Sequence, residues 1–176
     1  MDTRRPARKL DSDGLWNYAL RILAQRPNSS SEIRQKLSRR ADSPGSVKIV
    51  LDKLREYGLA DDTKFSEAFA SARLQNQGFG RMRVLRDLRA KRVADTVAQS
   101  AIDKTFEGVD EAQLAVRFID RKYRGKNTAK LFSDPKQLAS AYRRLRMAGF
   151  GSSASITALK NFSKQASELE DLPEEE

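Results

Sequence analysis

Residues 37–51 read LSRRADSPGSVKIVL, and their outline returns twice, as LRAKRVADTVAQSAI at 88–102 and LRMAGFGSSASITAL at 145–159. Each copy opens on a leucine, Leu37, Leu88 or Leu145, set in a basic cluster: Arg39-Arg40, Arg89-Ala90-Lys91 or Arg146. Four residues on comes a turn position, held by Ala41, Arg92 and Gly149. An aliphatic residue follows ten later: Leu51, Ile102, Leu159. The leucines are 51 and 57 residues apart. That interval holds about three short helices per copy, and repetition of this kind predicts an elongated array of helical units with a long surface and no deep pocket.

Helix start and stop signals agree with an all-α chain. Ser29 to Glu32 is a capping box, in which the hydroxyl takes an orphan N–H and the carboxylate reaches back. Ser43-Pro44 and Asp134-Pro135 set a capping side chain before a proline at the first helical position. Asp61-Asp62 begins another helix, and Gly58, Gly78 and Gly149 stand where helices should stop. Apolar faces recur at helical spacing: Trp16, Ala19, Leu20 and Leu23; Val47, Val50, Leu51 and Leu54; Phe65, Ala68, Phe69 and Ala72; Met82, Leu85 and Leu88. The predicted helices lie near 13–25, 30–41, 44–57, 62–76, 81–91, 94–106, 110–124, 135–148 and 152–165. The expected organisation is a flexible basic extension (1–12), three-helix repeats at 13–60, 61–108 and 109–166, and a disordered acidic tail (167–176). A long helix followed by two shorter ones is helix-turn-helix-like, and most aromatic residues fall on the apolar stripes and are read as core.

Composition narrows the chemistry. The chain has no cysteine and no histidine, which removes disulfides, thiol nucleophiles, His-based triads and nearly every transition-metal site. Asp61-Asp62 and Asp110-Glu111 are the acidic pairs, but each falls at a helix start, where capping accounts for it. The reading is therefore a non-enzymatic protein with no cofactor and no metal. No apolar run reaches the length of a membrane span, and the first residues lack the apolar core of a signal peptide, so a cytoplasmic protein is expected. The net charge is +10, yet residues 168–176 carry six acidic groups; the body from 11 to 167 stands at +13. Such a body favours an anionic partner.

Two segments concentrate the charge. Residues 81–92 carry Arg81, Arg83, Arg86, Arg89, Lys91 and Arg92 against Asp87 alone. With Met82, Leu85 and Leu88 buried, Arg83, Arg86 and Arg89 each come about 100° further round the helix, as a flank beside the core face. Residues 117–146 add Arg121, Lys122, Arg124, Arg143, Arg144 and Arg146 as a second set. Arginine offers a planar fork for phosphate or carboxylate. Gly78-Phe79-Gly80, just before the first segment, reads as a flexible connection; two glycines at a helix start can also hold a phosphate, but no nucleotide-binding pattern accompanies them.

Several strings together resemble the RecX family, small bacterial regulators of the RecA recombinase. Tyr18-Ala19-Leu20 through Arg26-Pro27, then Ser31-Glu32-Ile33-Arg34-Gln35-Lys36-Leu37, is similar to the family's first helix pair. Leu54 to Gly58-Leu59, Asp61-Asp62, Phe65, Ala68-Phe69 and Arg73 resemble its LGLLDD..FA motif and the following helix. Gly80-Arg81 to Leu88-Arg89-Ala90-Lys91 is similar to its second basic helix, and Arg143-Arg144-Leu145 to Gly149-Phe150 to its closing repeat. The resemblance runs over residues 14–162. Ala41 and Arg92 depart from it, standing where the family often has a helix-ending glycine. Altered caps are expected there, without loss of function.

The resemblance implies tandem three-helix repeats in a curved molecule. It implies binding along the groove of the RecA–single-stranded DNA filament and modulation, mostly inhibition, of ATPase, recombinase and coprotease activities. It also implies DNA binding of varying strength, and it brings no catalytic residues. The competing reading is a helix-turn-helix-like DNA- or RNA-binding protein without a recombinase role. Such a protein needs polar readers on a recognition helix, and usually a dimer. The third helices (44–57, 94–106, 152–165) are only weakly basic, and a monomer is expected.

Overall fold

The computed structural model describes residues 9–171, and their regular structure is helical, with no strand among them. The α-helices are α1 Ser12–Gln25, α2 Ser30–Arg40, α3 Pro44–Glu56, α4 Asp62–Ala72, α5 Arg81–Ala90, α6 Asp95–Thr105, α7 Glu111–Lys122, α8 Thr128–Leu131, α9 Pro135–Met147 and α10 Ser152–Lys160. Helix α4 runs on into a π-helical turn, Arg73–Gln77, and a 3₁₀ helix covers Lys164–Asp171. The chain folds as tandem three-helix units of the expected class. Two compact units divide the described residues: 9–68 with 88–101, and 69–87 with 102–171. The division falls within α4, α5 and α6.

In the first unit, Leu15, Ile33, Leu37, Val50, Leu51 and Leu54 form the core, with Leu10, Trp16 and Leu23 packed against it. The capping box is present: Ser29 accepts from the Glu32 N–H, and Glu32 accepts from the Ser29 N–H. The expected faces of α1, α4 and α5 need correction. Leu15, Ala19 and Ile22 are the buried residues of α1, while Leu20 is exposed. Helix α4 buries Phe65 in the first unit and Ala70 in the second, with Ala68 and Ala72 exposed. Met82 is 59% exposed, and Val84 takes its place beside Leu85 among the buried residues of α5. Alanine and methionine add so little to a helical period that the true face was shifted by a residue or two.

The repeated turn has a common physical basis. The anchors Leu37, Leu88 and Leu145 are all buried, as are Leu51, Ile102 and Leu159. At the end of α5 the Val93 N–H donates to Leu88 O (3.4 Å) and the Arg92 N–H to Arg89 O (2.8 Å). At the end of α9 the Phe150 N–H donates to Leu145 O (3.2 Å) and the Gly149 N–H to Arg146 O (3.0 Å). Both are Schellman closures, which require a left-handed residue. Gly149 supplies it at φ +93°, and Arg92, a non-glycine, supplies it at φ +56°. Ala41 instead stays extended, because the chain pairs with Leu10: the Leu10 N–H donates to Arg40 O and the Asp42 N–H to Leu10 O. The altered cap expected at Ala41 is found, whereas Arg92 keeps the same closure as Gly149.

Both ends differ from expectation where they are described. Of the basic extension 1–12, residues 1–8 lie outside the described residues. From Lys9 onward the chain is fastened through Leu10, and Asp11 caps α1 by accepting from the Gly14 N–H. Helix α10 stops at Lys160, where the Asn161 amide donates back to Thr157 O and Ala158 O. The 3₁₀ helix then carries the chain through part of the stretch expected to be disordered, burying Ala166 and Leu169; apolar anchoring outweighs the neighbouring acidic charge. Residues 172–176 of the tail lie outside the described residues. Helix α8 was not predicted, since four residues are too few to show a period. It is capped by Asn127 and leads into fully buried Phe132, which meets Tyr123 and Phe162 edge-on.

Candidate nucleic-acid interface

In the second unit, Gly78-Phe79-Gly80 is neither a flexible link nor a phosphate cradle. The Gly80 N–H donates to Ala148 O (2.9 Å) and the Met82 N–H to Gly149 O (3.1 Å), so the start of α5 caps the end of α9. A Cβ on Gly80 would lie 2.4 Å from the Gly149 carbonyl, and one on Gly149 2.1 Å from the Arg83 nitrogen. These glycines permit backbone-to-backbone packing, and the Gly78, Phe79, Gly80 and Met82 N–H groups that an anion would draw on already donate to carbonyls.

The arginines of α5 extend the same clamp. Arg86 donates to Met147 O (3.1 Å), and Arg83 ion-pairs with Asp87 (3.0 Å) while lying over the Phe79 ring. Arg81 ion-pairs with Asp103. In the second predicted set, Arg121 donates to Gln77 O at the end of the π turn and lies over Phe118. Arg146 donates to Phe150 O (3.0 Å), and Arg144 sits over the Tyr123 ring, 5.5 Å from its centroid. A guanidinium has five donors, so one bound to a carbonyl keeps others facing water. Lys122, Arg124 and Arg143 are exposed and hold no side-chain partner among the described residues.

In the first unit, Arg89 binds Asp95 through two donors (2.9 and 3.3 Å), and Lys91 bonds Glu32 (3.0 Å) with both groups four-fifths buried. Burial alone would raise the Glu32 carboxyl, but the Lys91 hydrogen bond, the Ser29 N–H and the charges of Lys91 and Arg26 outweigh it and hold it below its ordinary value. The Lys91 carbonyl accepts from the Ser29 hydroxyl (2.8 Å). These bonds fix the α5–α6 turn against the start of α2.

Arg92, next along, is exposed and unpaired among the described residues. It lines an open hollow of about 360 Å³ with Ser31, Arg34, Gln35, Ser38 and Arg39 of α2. These α2 residues recur at helical spacing and form one stripe. Three guanidiniums meet there with hydroxyl and amide groups, and no carboxylate lines the hollow. Arg34 and Ser38 are shared with a larger groove of about 540 Å³, which also carries Lys48 and Arg55 along with Asp42 and Asp52. Arg34 and Arg39 lie outside the two predicted basic segments, and only the fold brings them to one hollow with Arg92. Their i, i+5 spacing with Ser31, Gln35 and Ser38 on the same stripe is the one signal the sequence held. Among the described residues no cluster of acidic side chains could hold a metal.

The family model of the RecX first three-helix domain matches residues 16–54, and that of the RecX second three-helix domain matches residues 61–102. A protein from Halorhodospira halophila named regulatory protein RecX is 39% identical over 104 residues, 59% of this chain and 62% of that protein. Its namesake from Chromohalobacter salexigens is 33% identical over 132 residues, 75% of this chain and 82% of the relative. The one from Deinococcus radiodurans is 30% identical over 161 residues, 89% and 72% of the two chains. The crystal structure of RecX from Lactobacillus salivarius superposes with a TM-score of 0.64 at 18% identity, covering 86% of this chain and 96% of that one. A second structure, of regulatory protein RecX, gives 0.69 at 19%, covering 86% and 72%. At these identities the structures speak for the fold alone.

Proposed function

The chain belongs to the RecX family of regulatory proteins, and from that premise we propose that it binds the RecA–single-stranded DNA filament and modulates it, mostly by inhibition of its ATPase, recombinase and coprotease activities. The observation that carries this reading is the 33% identity to a RecX protein over 82% of that relative's length. The regulator acts by occupying a surface and performs no chemistry, in the cytoplasm and as a monomer. The basic body, +13 between residues 11 and 167, supports attraction to an anionic assembly. Arg81, Arg83, Arg86, Arg89, Lys91 and Arg92 are the first proposed contacts; Arg121, Lys122, Arg124, Arg143, Arg144 and Arg146 are the second. Readout of base edges by the weakly basic third helices has no support in their side chains.

The test is steady-state ATP hydrolysis by RecA on single-stranded DNA with this protein titrated at fixed salt, its DNA affinity being measured separately. Inhibition at concentrations too low to sequester the DNA is the expected result. No inhibition by folded protein, with RecA from the same source, overturns the proposal. Charge reversal at Lys122, Arg124 and Arg143 should weaken inhibition at least tenfold with the thermal midpoint unchanged, since those side chains hold nothing in place. Reversal at Arg83 and Arg86 should weaken inhibition and lower the midpoint together, because both also cap α9.

A further inference from the structure

We propose that the hollow lined by Arg34, Arg39 and Arg92 is a binding site for the phosphodiester backbone of single-stranded nucleic acid. This rests on the reading of the protein as a partner of a DNA filament, and assigns a nucleic-acid contact to one place in the first unit, with Arg34 and Arg39 as its new members. Three observations carry it. The lining is entirely arginine, serine and glutamine, with no carboxylate to neutralise it. These are the groups that donate to phosphate oxygens and fix a strand's position without reading its sequence. The hollow is open, which suits a strand passing across better than a small enclosed ligand, and through Arg34 and Ser38 it adjoins a groove of mixed charge where Lys48 stands with Asp42 and an Arg55–Asp52 ion pair. Last, Arg92 keeps a left-handed backbone, φ +56°, at the turn position where the third repeat has Gly149. A glycine would take that conformation freely, and an arginine is strained in it. The left-handed backbone closes α5 through main-chain bonds, in which the Arg92 side chain takes no part, so the fold gives no reason for an arginine there in place of glycine.

A protein surface fits the hollow less well. Protein-binding patches centre on an aromatic or large aliphatic anchor in a dry pocket, and no such side chain lines this one. The guanidinium fork matches phosphate in pairs of donors, and Arg34 and Arg39 of α2 offer two such forks with a third, Arg92, across the hollow.

The experiment compares fluorescently labelled oligo-dT binding, across a salt series, by the full chain, an Arg34→Gln/Arg39→Gln/Arg92→Gln variant, and a charge-matched Lys126→Gln/Lys130→Gln/Lys136→Gln control. The hollow variant should bind at least tenfold more weakly, with the slope of log affinity against log salt shallower by about two, as three lost single-strand phosphate contacts require. The control should lose much less. Arg92→Gly separates binding from folding: its thermal midpoint should hold or rise by about 2–4 °C as strain is released, while affinity falls and the slope drops by about 0.7. Equal losses in hollow variant and control overturn the proposal. So does competition by inorganic phosphate at concentrations equal to the oligonucleotide's own phosphates, which would mark a free-anion site. A hollow variant that keeps DNA affinity but loses filament inhibition would assign the hollow to an acidic protein face and overturn it as well. A wild-type chain that binds oligo-dT through the hollow yet leaves RecA untouched would sink the filament reading and leave this site standing.

Discussion

Gly149 shows how much one missing side chain can decide. Its φ of +93° closes α9, and its carbonyl and backbone accept the start of α5 in direct contact. Gly149→Ala introduces both left-handed strain and a Cβ driven into the Arg83 backbone, at 2.1 Å. The expected loss of stability is about 3 kcal/mol or more, combining overpacking with an incompatible backbone. Gly58 is the control. It also has positive φ, +66°, but a Cβ there meets nothing within 4 Å, so Gly58→Ala should cost only about 1 kcal/mol. Urea unfolding of the two variants checks the difference, and equal losses would mean that the α5–α9 contact contributes little. Arg92 is the complementary case, a side chain retained where glycine would be the less strained choice.

At the scale of the element, the start of α2 is tied at several points. Ser29 is fully buried; it caps Glu32 and donates to Lys91 O, while Glu32 answers both the Ser29 N–H and the Lys91 ammonium. Ser29→Ala removes the cap and strands the Lys91 carbonyl, with an expected loss of about 2 kcal/mol. Glu32 adds a pH dependence. Its carboxyl is held below the ordinary 4.5 in the folded chain, so its contribution is present above that value and is lost as pH falls through the lower native one. The thermal midpoint should therefore decline on the acid side, and Glu32→Gln should flatten that part of the profile. A Glu32→Gln profile as steep as wild type's would place the acid sensitivity elsewhere. Asp61, whose carboxylate accepts from the Lys64 and Thr63 N–H groups, is lowered too and works in the same direction.

At the scale of the whole molecule, charge sets the conditions under which any of this binding operates. Binding that rests on arginine–phosphate contacts must weaken with salt, because each contact releases counterions. Three contacts in the hollow alone predict roughly a twentyfold loss of oligo-dT affinity between 50 and 200 mM salt. A salt-independent affinity would remove phosphate contacts from the account. Fluorescence anisotropy over that range gives the answer, and ATPase inhibition followed over the same range tells whether the filament contact shares the dependence.

The sequence by itself determined the helical class, the repeat and most helix boundaries. Caps, prolines and glycines act through neighbours a few residues away, so their meaning survives without a fold. That is why α2, α3 and α9 stand within a residue of where Ser29, Ser43-Pro44 and Asp134-Pro135 place them. Chemical exclusion was equally legible, since a chain without cysteine or histidine lacks those functions in any conformation. The tertiary structure alone decided what each arginine does. Arg83, Arg86 and Arg121 turned out to hold helix-end carbonyls that lie 44 to 64 residues away in the chain. Arg34 and Arg39 came to share a hollow with Arg92, more than fifty residues downstream. A basic side chain has the same charge wherever it lies. Whether it caps a carbonyl, pairs with a carboxylate or faces an empty hollow depends on groups that only the folded chain brings within reach.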